Sequence, residues 1–392
     1  MRLSGDDTCF DLTRVASPPA QALDVGALVD GKYRLERLIG KGAMGAVYEA
    51  RHELLERRVA LKFIAGEHAS TPECARRFFN EARAAAGIEN EHVARILDAG
   101  RHDGGAPFMV LEMLEGEDLS RVLEQCAERG EPLPVVRVVD WILQAIEGLA
   151  EAHALGIVHR DLKPANLFLA KRRDGSSILK VLDFGISKFS SAAGASPTLT
   201  ATSSLLGSPV YMPPEQLRDA RSVDERADIW SLGVVLYELL NGKLPFDACS
   251  VAELFVAILE GPIAPIRERR PDVPVELERV VLRCLARDVD ARFRDVAELA
   301  DALAPFAPLG SRPAVERIRY VTRIAPWRAR ALSEPSPVKR RSRFVAVATA
   351  LAIGAAAAVG LVESGVVRFS AQAAPAPAPT HEHASAGPGV AR

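Results

Sequence analysis

Residues His159–Asn166 read HRDLKPAN, and after a short interval Asp183–Gly185 read DFG. Moving a phosphoryl group from ATP to a hydroxyl makes four demands. It needs a divalent cation bridging the phosphates, oxygen ligands for that cation, a positive group on the departing phosphoryl, and a carboxylate near the attacking oxygen. Asp161, Lys163, Asn166 and Asp183 supply those four kinds of group within one short stretch. Each residue type alone is ordinary on a solvated surface. Two such strings at this spacing are not plausibly a coincidence.

Towards the N-terminus, Gly40, Gly42 and Gly45 lie in IGKGAMGAVYEA, a GxGxxG pattern with strand-like runs on both sides. A dinucleotide fingerprint follows a strand and opens a helix, whereas this one is followed by a second strand, so the spacing predicts a hairpin tip able to lie over phosphates. Taken alone, the glycines would equally serve a tight turn that needs positive φ. Lys62 ends the strand-like VALK, and Glu81 lies in the helical RRFFNEARAAAG. Either is unremarkable by itself; together they allow one cation to meet phosphate while a carboxylate holds it.

With these motifs in order, the chain resembles the eukaryotic-like (Hanks-type) serine/threonine protein kinases, most closely the bacterial membrane-anchored type. The resemblance runs from Tyr33 to Leu303. It implies an α+β, bilobal protein kinase fold, with a small β-rich N-lobe and a larger α-helical C-lobe. It also implies ATP and Mg2+ (or Mn2+) as cofactors, and protein Ser/Thr hydroxyls as acceptors. By the same resemblance Ile39, Gly40, Gly42 and Gly45 cover the phosphates, while Lys62 contacts them and pairs with Glu81. Asp161 receives the hydroxyl proton, Lys163 meets the γ-phosphate, and Asn166 with Asp183 holds the metal. PFMVLEMLEGEDL resembles the segment joining the lobes, with Leu111 as gatekeeper and the backbone of Glu112 and Leu114 on the adenine edge. Val47, Ala60 and Leu169 sandwich the ring.

Further resemblances concern support and regulation. GSPVYMPPE (207–215) looks like the end of an activation segment, Asp228 like the aspartate that braces the catalytic loop, and Glu215 like the partner of Arg292. Ser208 stands where threonine is usual and Pro213 where alanine or serine is usual, which puts peptide preference in doubt but leaves the chemistry. Arg160 offers a cation to an activation-loop phosphate, and Thr200 and Thr202 fall where related kinases autophosphorylate. KPAN after the aspartate favours serine or threonine over tyrosine. An inactive scaffold would lack one of these groups, and a small-molecule phosphotransferase would lack the glycine loop and the PPE ending.

Composition sets the frame around this body. The 392 residues are 48% apolar and 26% charged, which excludes collagen, a disordered chain and a disulfide mini-protein. The net charge of −2 conceals a basic stretch at 312–343, so 1–311 is acidic and nucleic acid is not an expected partner. The five cysteines are scattered without metal-ligand spacing and fit a reducing compartment. Residues 1–32 read as a disordered lead with no secretory signal. Residues 304–343, rich in Pro and Arg, read as a juxtamembrane linker drawn to anionic headgroups. The uncharged run at 344–362, FVAVATALAIGAAAAVGLV, would cover roughly 28 Å as a helix and reads as a single transmembrane helix. Lys339, Arg340, Arg341 and Arg343 before it place the kinase domain on the cytoplasmic side of the cell (inner) membrane. Residues 363–392 read as a short Ala/Pro-rich extracytoplasmic tail. Surface confinement favours a homodimer that phosphorylates itself in trans.

Overall fold

The computed structural model describes residues 23–42, 45–64, 72–102, 106–184, 209–219 and 223–333. Strands β1 (Leu28–Val29), β2 (Tyr33–Gly42), β3 (Gly45–His52), β4 (Arg57–Ile64), β5 (Ile96–Arg101) and β6 (Pro107–Glu112) build an antiparallel sheet in the order β1-β2-β3-β4-β6-β5. Side chains of its central strands alternate between two faces, both of them covered, since β4 is buried from Val59 to Phe63 and β6 from Pro107 to Val110. Val59, Leu61, Phe63, Phe108 and Val110 join Tyr33 and Tyr48 in one core, while Ala60, Lys62, Met109 and Leu111 point to the opposite face. Helix α1 (Pro72–Ala86) covers part of that second face, through Phe78 and Ala82 against Met109.

The larger lobe is organised by two helices. In α3 (Val135–Ala154) and in the later helix Arg226–Asn241 the buried residues run almost all round, the mark of a helix enclosed by its neighbours. Before α3, helix α2 (Leu119–Arg129) starts at Asp118, whose side chain accepts from the Arg121 N–H. It ends at Gly130 with φ of 67°, where a side chain would be strained. In a three-stranded sheet, β7 (Gly116–Asp118) pairs with β8 (Leu167–Lys171) and β8 with β9 (Ser177–Val181), the last two connecting the catalytic motifs. The remaining helices are α4 (Pro214–Arg218), α5 (Arg226–Asn241), α6 (Val251–Glu260), α7 (Val275–Cys284), α8 (Val296–Leu303) and α9 (Arg312–Ser333). Helices α5 and α7 approach closely at Gly233, where a Cβ would lie 2.5 Å from that of Cys284.

The structure moves both boundaries of the folded body outward. At the start, Val29 is fully buried and pairs with Tyr33, and the Leu23 N–H donates to the Tyr48 hydroxyl at 2.9 Å, so order begins before residue 33. At the end, the stretch expected to be linker holds two 3-10 turns and then α9. Ala314, Val315 and Ile318 are buried at helical spacing, and Val315 and Ile318 belong to the C-lobe core. Arg317 binds Glu147 of α3 through two bonds of 2.6 and 3.0 Å, Arg319 meets Asp301, and Ser311 donates to Asp140 at 2.6 Å. Arginines between the apolar positions hid this stripe from composition alone.

Among the described residues no helix is long and apolar enough to cross a membrane. The run 344–362, the tail beyond it and residues 1–22 lie outside them. Because α9 is packed, Ile318→Ala is expected to destabilise the full chain by about 2–4 kcal/mol, the cost of a core cavity. Urea unfolding measures this; a shift within 0.5 kcal/mol, typical of a surface site, would make α9 a mere tether.

Candidate active site

The catalytic loop connects α3 to β8 and hangs from a single buried carboxylate. Asp228, near the start of α5, is fully buried and accepts from the backbone N–H of His159 and of Arg160, both at 2.9 Å, and from His153 Nε2 at 2.8 Å. Burial pushes its carboxyl up, but the hydrogen bond and charge of His153, with His159 and the Arg160 amide, outweigh that and hold it below the ordinary range. Arg160 has a φ of 67°, a left-handed conformation that these bonds pay for.

From this brace the reactive groups converge. Asp161 Oδ2 accepts from Lys163 Nζ at 2.9 Å and from Asn166 Nδ2 at 3.2 Å, and the same Asn166 amide donates to the Asp161 carbonyl at 2.7 Å. His159 accepts the Asp161 N–H at Nδ1 and donates from Nε2 to the Leu182 carbonyl at 2.8 Å, joining the catalytic loop to the segment before Asp183. The Phe184 ring lies edge-on against His159 with centroids 4.9 Å apart. Asp183 has a φ of 61° and aims its carboxylate at Lys62, 2.6 Å from Nζ. Burial raises its carboxyl, but Lys62 above all, then His159 and Lys163, bring it below the usual value, so it is an anion.

The resemblance implies a partnership of Lys62 with Glu81, and the structure adds a second carboxylate beside the same ammonium. That carboxylate is Asp183, whereas Glu81 lies on α1. Lys62 projects from the cleft-facing side of β4, within reach of the half-buried Asp183 carboxylate. Residues Lys62, Asp161, Lys163, Asn166 and Asp183 thus form one cluster.

Around it, β2 and β3 form the glycine hairpin, with Gly40 opposite Val47 and Gly42 opposite Gly45, whose φ of 146° favours glycine. Ile39 is partly exposed on β2. Val47 is opposite Lys62, and Ala60 is opposite Leu111. Leu169 is buried on β8, while Glu112 and Leu114 are half-buried at the exit from β6. Leu111 also lines a small, partly open space of about 20 Å³ beside Met109, Asp183 and Phe184, room for a single water. Ala43, Met44, Gly185, Thr200, Thr202 and Ser208 lie outside the described residues.

No cluster of three or more His, Cys, Asp or Glu with metal-binding geometry occurs among the described residues. The donors available suit a hard cation that keeps phosphate and water ligands: one carboxylate, Asp183, and the Asn166 side-chain oxygen, left over when its nitrogen serves Asp161.

Below the cleft, Pro213 adopts φ −74° and ψ 154° as the residue capping α4, a conformation proline favours. Glu215 and Arg292 face each other through two bonds of 2.7 Å, and Gln216 donates to the Arg160 carbonyl at 3.3 Å. Arg160 Nη2 donates to the Val223 carbonyl at 3.2 Å.

Sequence reasoning missed Glu238, although it is the one carboxylate besides Asp228 in the largely apolar ADIWSLGVVLYELLNG. It accepts from the Tyr211 hydroxyl at 2.7 Å, and burial pushes its carboxyl up to about 7. The folded state therefore keeps a proton that the unfolded chain releases near its ordinary value, and this stabilisation is lost as pH rises through about 7. Between pH 5 and 8 the wild type is expected to lose on the order of 2–3 kcal/mol relative to Glu238→Gln. Parallel stability curves for the two proteins would refute the assignment.

Comparison with known proteins places this architecture. Residues 33–301 match the protein kinase domain family. Serine/threonine-protein kinase pkn3 of Myxococcus xanthus is 38% identical over 266 residues, which cover 67% of this chain and 48% of that protein. PknB of Mycolicibacterium smegmatis is 35% identical over 324 residues, 80% of this chain and 50% of that protein. The chain thus spans about half the length of these two relatives. The crystal structure of the Mycobacterium tuberculosis PknI kinase domain superposes with a TM-score of 0.56 at 30% identity, covering 73% of this chain and 100% of that one. A catalytic loop braced on Asp228, carried by a fold and sequence shared with these bacterial enzymes, makes the chain a member of the protein kinase domain family, in its eukaryotic-like serine/threonine branch.

Proposed function

We propose that the chain transfers the γ-phosphoryl group of ATP to Ser/Thr hydroxyls of proteins, its own activation loop included. The observation that carries this is the joint cluster of Asp161, Lys163 and Asn166 beside Lys62 and Asp183. The substrate oxygen forms its bond to the γ-phosphorus as the bond to the β–γ bridging oxygen breaks. ADP departs, and the hydroxyl proton passes to the Asp161 carboxylate. Lys163 lies against Asp161, where its charge can meet the transferring group, and Lys62 is placed for the remaining phosphates. Asn166 and Asp183 would hold Mg2+, which supplies neutralisation of phosphate charge. The glycine hairpin covers the nucleotide with backbone.

Within the same reading, residues 344–362 span the cell membrane with the kinase lobes on the cytoplasmic side, where ATP is available. Copies held on one surface phosphorylate Thr200 and Thr202 in trans, and Arg160 receives that phosphate. The uncharged run with its basic flank supports the first point, and the Ser/Thr-rich segment supports the second.

The test is transfer of labelled γ-phosphate from Mg·ATP by the purified full chain to itself and to a generic basic protein. Label on serine and threonine is expected. A folded, nucleotide-binding chain that transfers none would refute the reading.

A further inference from the structure

Lys180 lies on β9, three residues before Asp183, and is buried although phosphoryl transfer makes no demand on it. Its ammonium donates to Glu112 Oε1 at 2.8 Å and to the Val93 carbonyl at 3.3 Å. The same Glu112 oxygen accepts from the Arg95 N–H at 2.9 Å, and the Glu112 N–H donates to the Arg95 carbonyl at 3.0 Å. Glu112 is thus pinned by both its side chain and its main chain.

The loop supplying Val93 and Arg95 is itself fastened to β9. The Val181 N–H donates to the His92 carbonyl at 2.7 Å, the Ala94 N–H to the Val181 carbonyl at 3.0 Å, and His92 Nδ1 bonds the Leu179 carbonyl at 2.9 Å. On its α3 side the backbone of this loop comes so close to Gly148 that a Cβ there would lie 3.1 Å from the His92 carbonyl. The loop therefore has little freedom to follow a displaced Glu112, and the Lys180 ammonium is what closes the remaining gap. The Lys180 and Glu112 side chains are 10% and 18% exposed, so each charge depends on the other rather than on water.

We propose that Lys180 is a positioning residue for nucleotide binding. It acts through Glu112 to fix the segment whose backbone meets the adenine edge, and so sets affinity for the base rather than for the phosphates. This rests on the kinase reading of the cleft.

The experiment compares the wild-type full chain with Lys180→Met and Lys180→Arg, using adenosine, Mg·ATP and magnesium tripolyphosphate as binding probes. Lys180→Met is expected to weaken adenosine and Mg·ATP alike by about five- to tenfold and leave tripolyphosphate unchanged. The KM for ATP rises by the same factor with kcat within about twofold. Lys180→Arg restores most of the affinity. Glu112→Gln breaks the same pair with less disturbance and is expected to repeat the pattern, which covers the case in which Lys180→Met does not fold. Unchanged adenosine affinity, or equal weakening of all three probes, would overturn the proposal. A wild type that bound no adenosine would instead refute the kinase reading on which it rests.

Discussion

Asp161→Asn is expected to lower kcat by about 10²- to 10⁴-fold while the KM for ATP stays within about twofold. The substitution keeps the size and planarity of the side chain and removes only its charge and basicity. In the folded protein the Asp161 side chain meets Lys163 and Asn166 of its own loop, so the nucleotide-facing groups on β4 and after β6 keep their places. The loop's conformation is set from behind by Asp228, which binds the backbone of His159 and Arg160 rather than Asp161. An unchanged melting temperature should therefore accompany the loss of rate. If kcat survived within tenfold, the proton would have another destination and Asp161 would lose its role. A parallel loss of stability would instead show that the carboxylate is part of the loop's own framework.

Arg292→Ala is expected to cost about 3–5 kcal/mol, a large share of the 5–15 kcal/mol that a domain commonly has. Arg292 is 1% exposed, and four hydrogen bonds engage its guanidinium. It makes two bonds to Glu215, one to the Ala286 carbonyl at 2.7 Å and one to the Arg226 carbonyl at 3.1 Å, and it lies over the Trp230 ring at 5.0 Å. Removing it strands the Glu215 carboxylate and two carbonyls away from water. Replacing both partners by apolar residues, as in Glu215→Leu with Arg292→Met, removes the stranded charge and is expected to recover part of the loss. Denaturant unfolding of the single and double variants reads both effects. A single variant within 1 kcal/mol of wild type would mean that water reaches the pair.

The cluster around Asp161 was legible because chemistry constrains it locally: Asp161, Lys163 and Asn166 lie within six residues, and no tertiary rearrangement can separate them far. The two lobes were legible from the change of period between YRLERLIG and the long helical runs. What tertiary packing decides was not. That Lys62 meets Asp183 depends on the φ of Asp183, which is not written in nearby residues. Lys180 and Glu112 are 68 positions apart, and a lysine in a strand ordinarily signals an exposed face. Helix α9 was concealed by its own composition, since proline and arginine outnumber the few buried positions that anchor it. The short β1 strand failed for the opposite reason: two residues carry no period.

Docking of α9 also sets how far the enzyme can reach. In the membrane arrangement proposed above, a free chain from residue 304 to Phe344 would have a contour of about 140 Å, enough to sweep a wide volume. With α9 built into the lobe, the sequence between its end and Phe344 shortens to residues 334–343, a contour of at most about 35 Å. In that arrangement, this short leash confines the lobe's anchored end to a thin layer beside the bilayer. Acceptors that share that layer are met at a raised effective concentration, while those deeper in the cytoplasm must come to it.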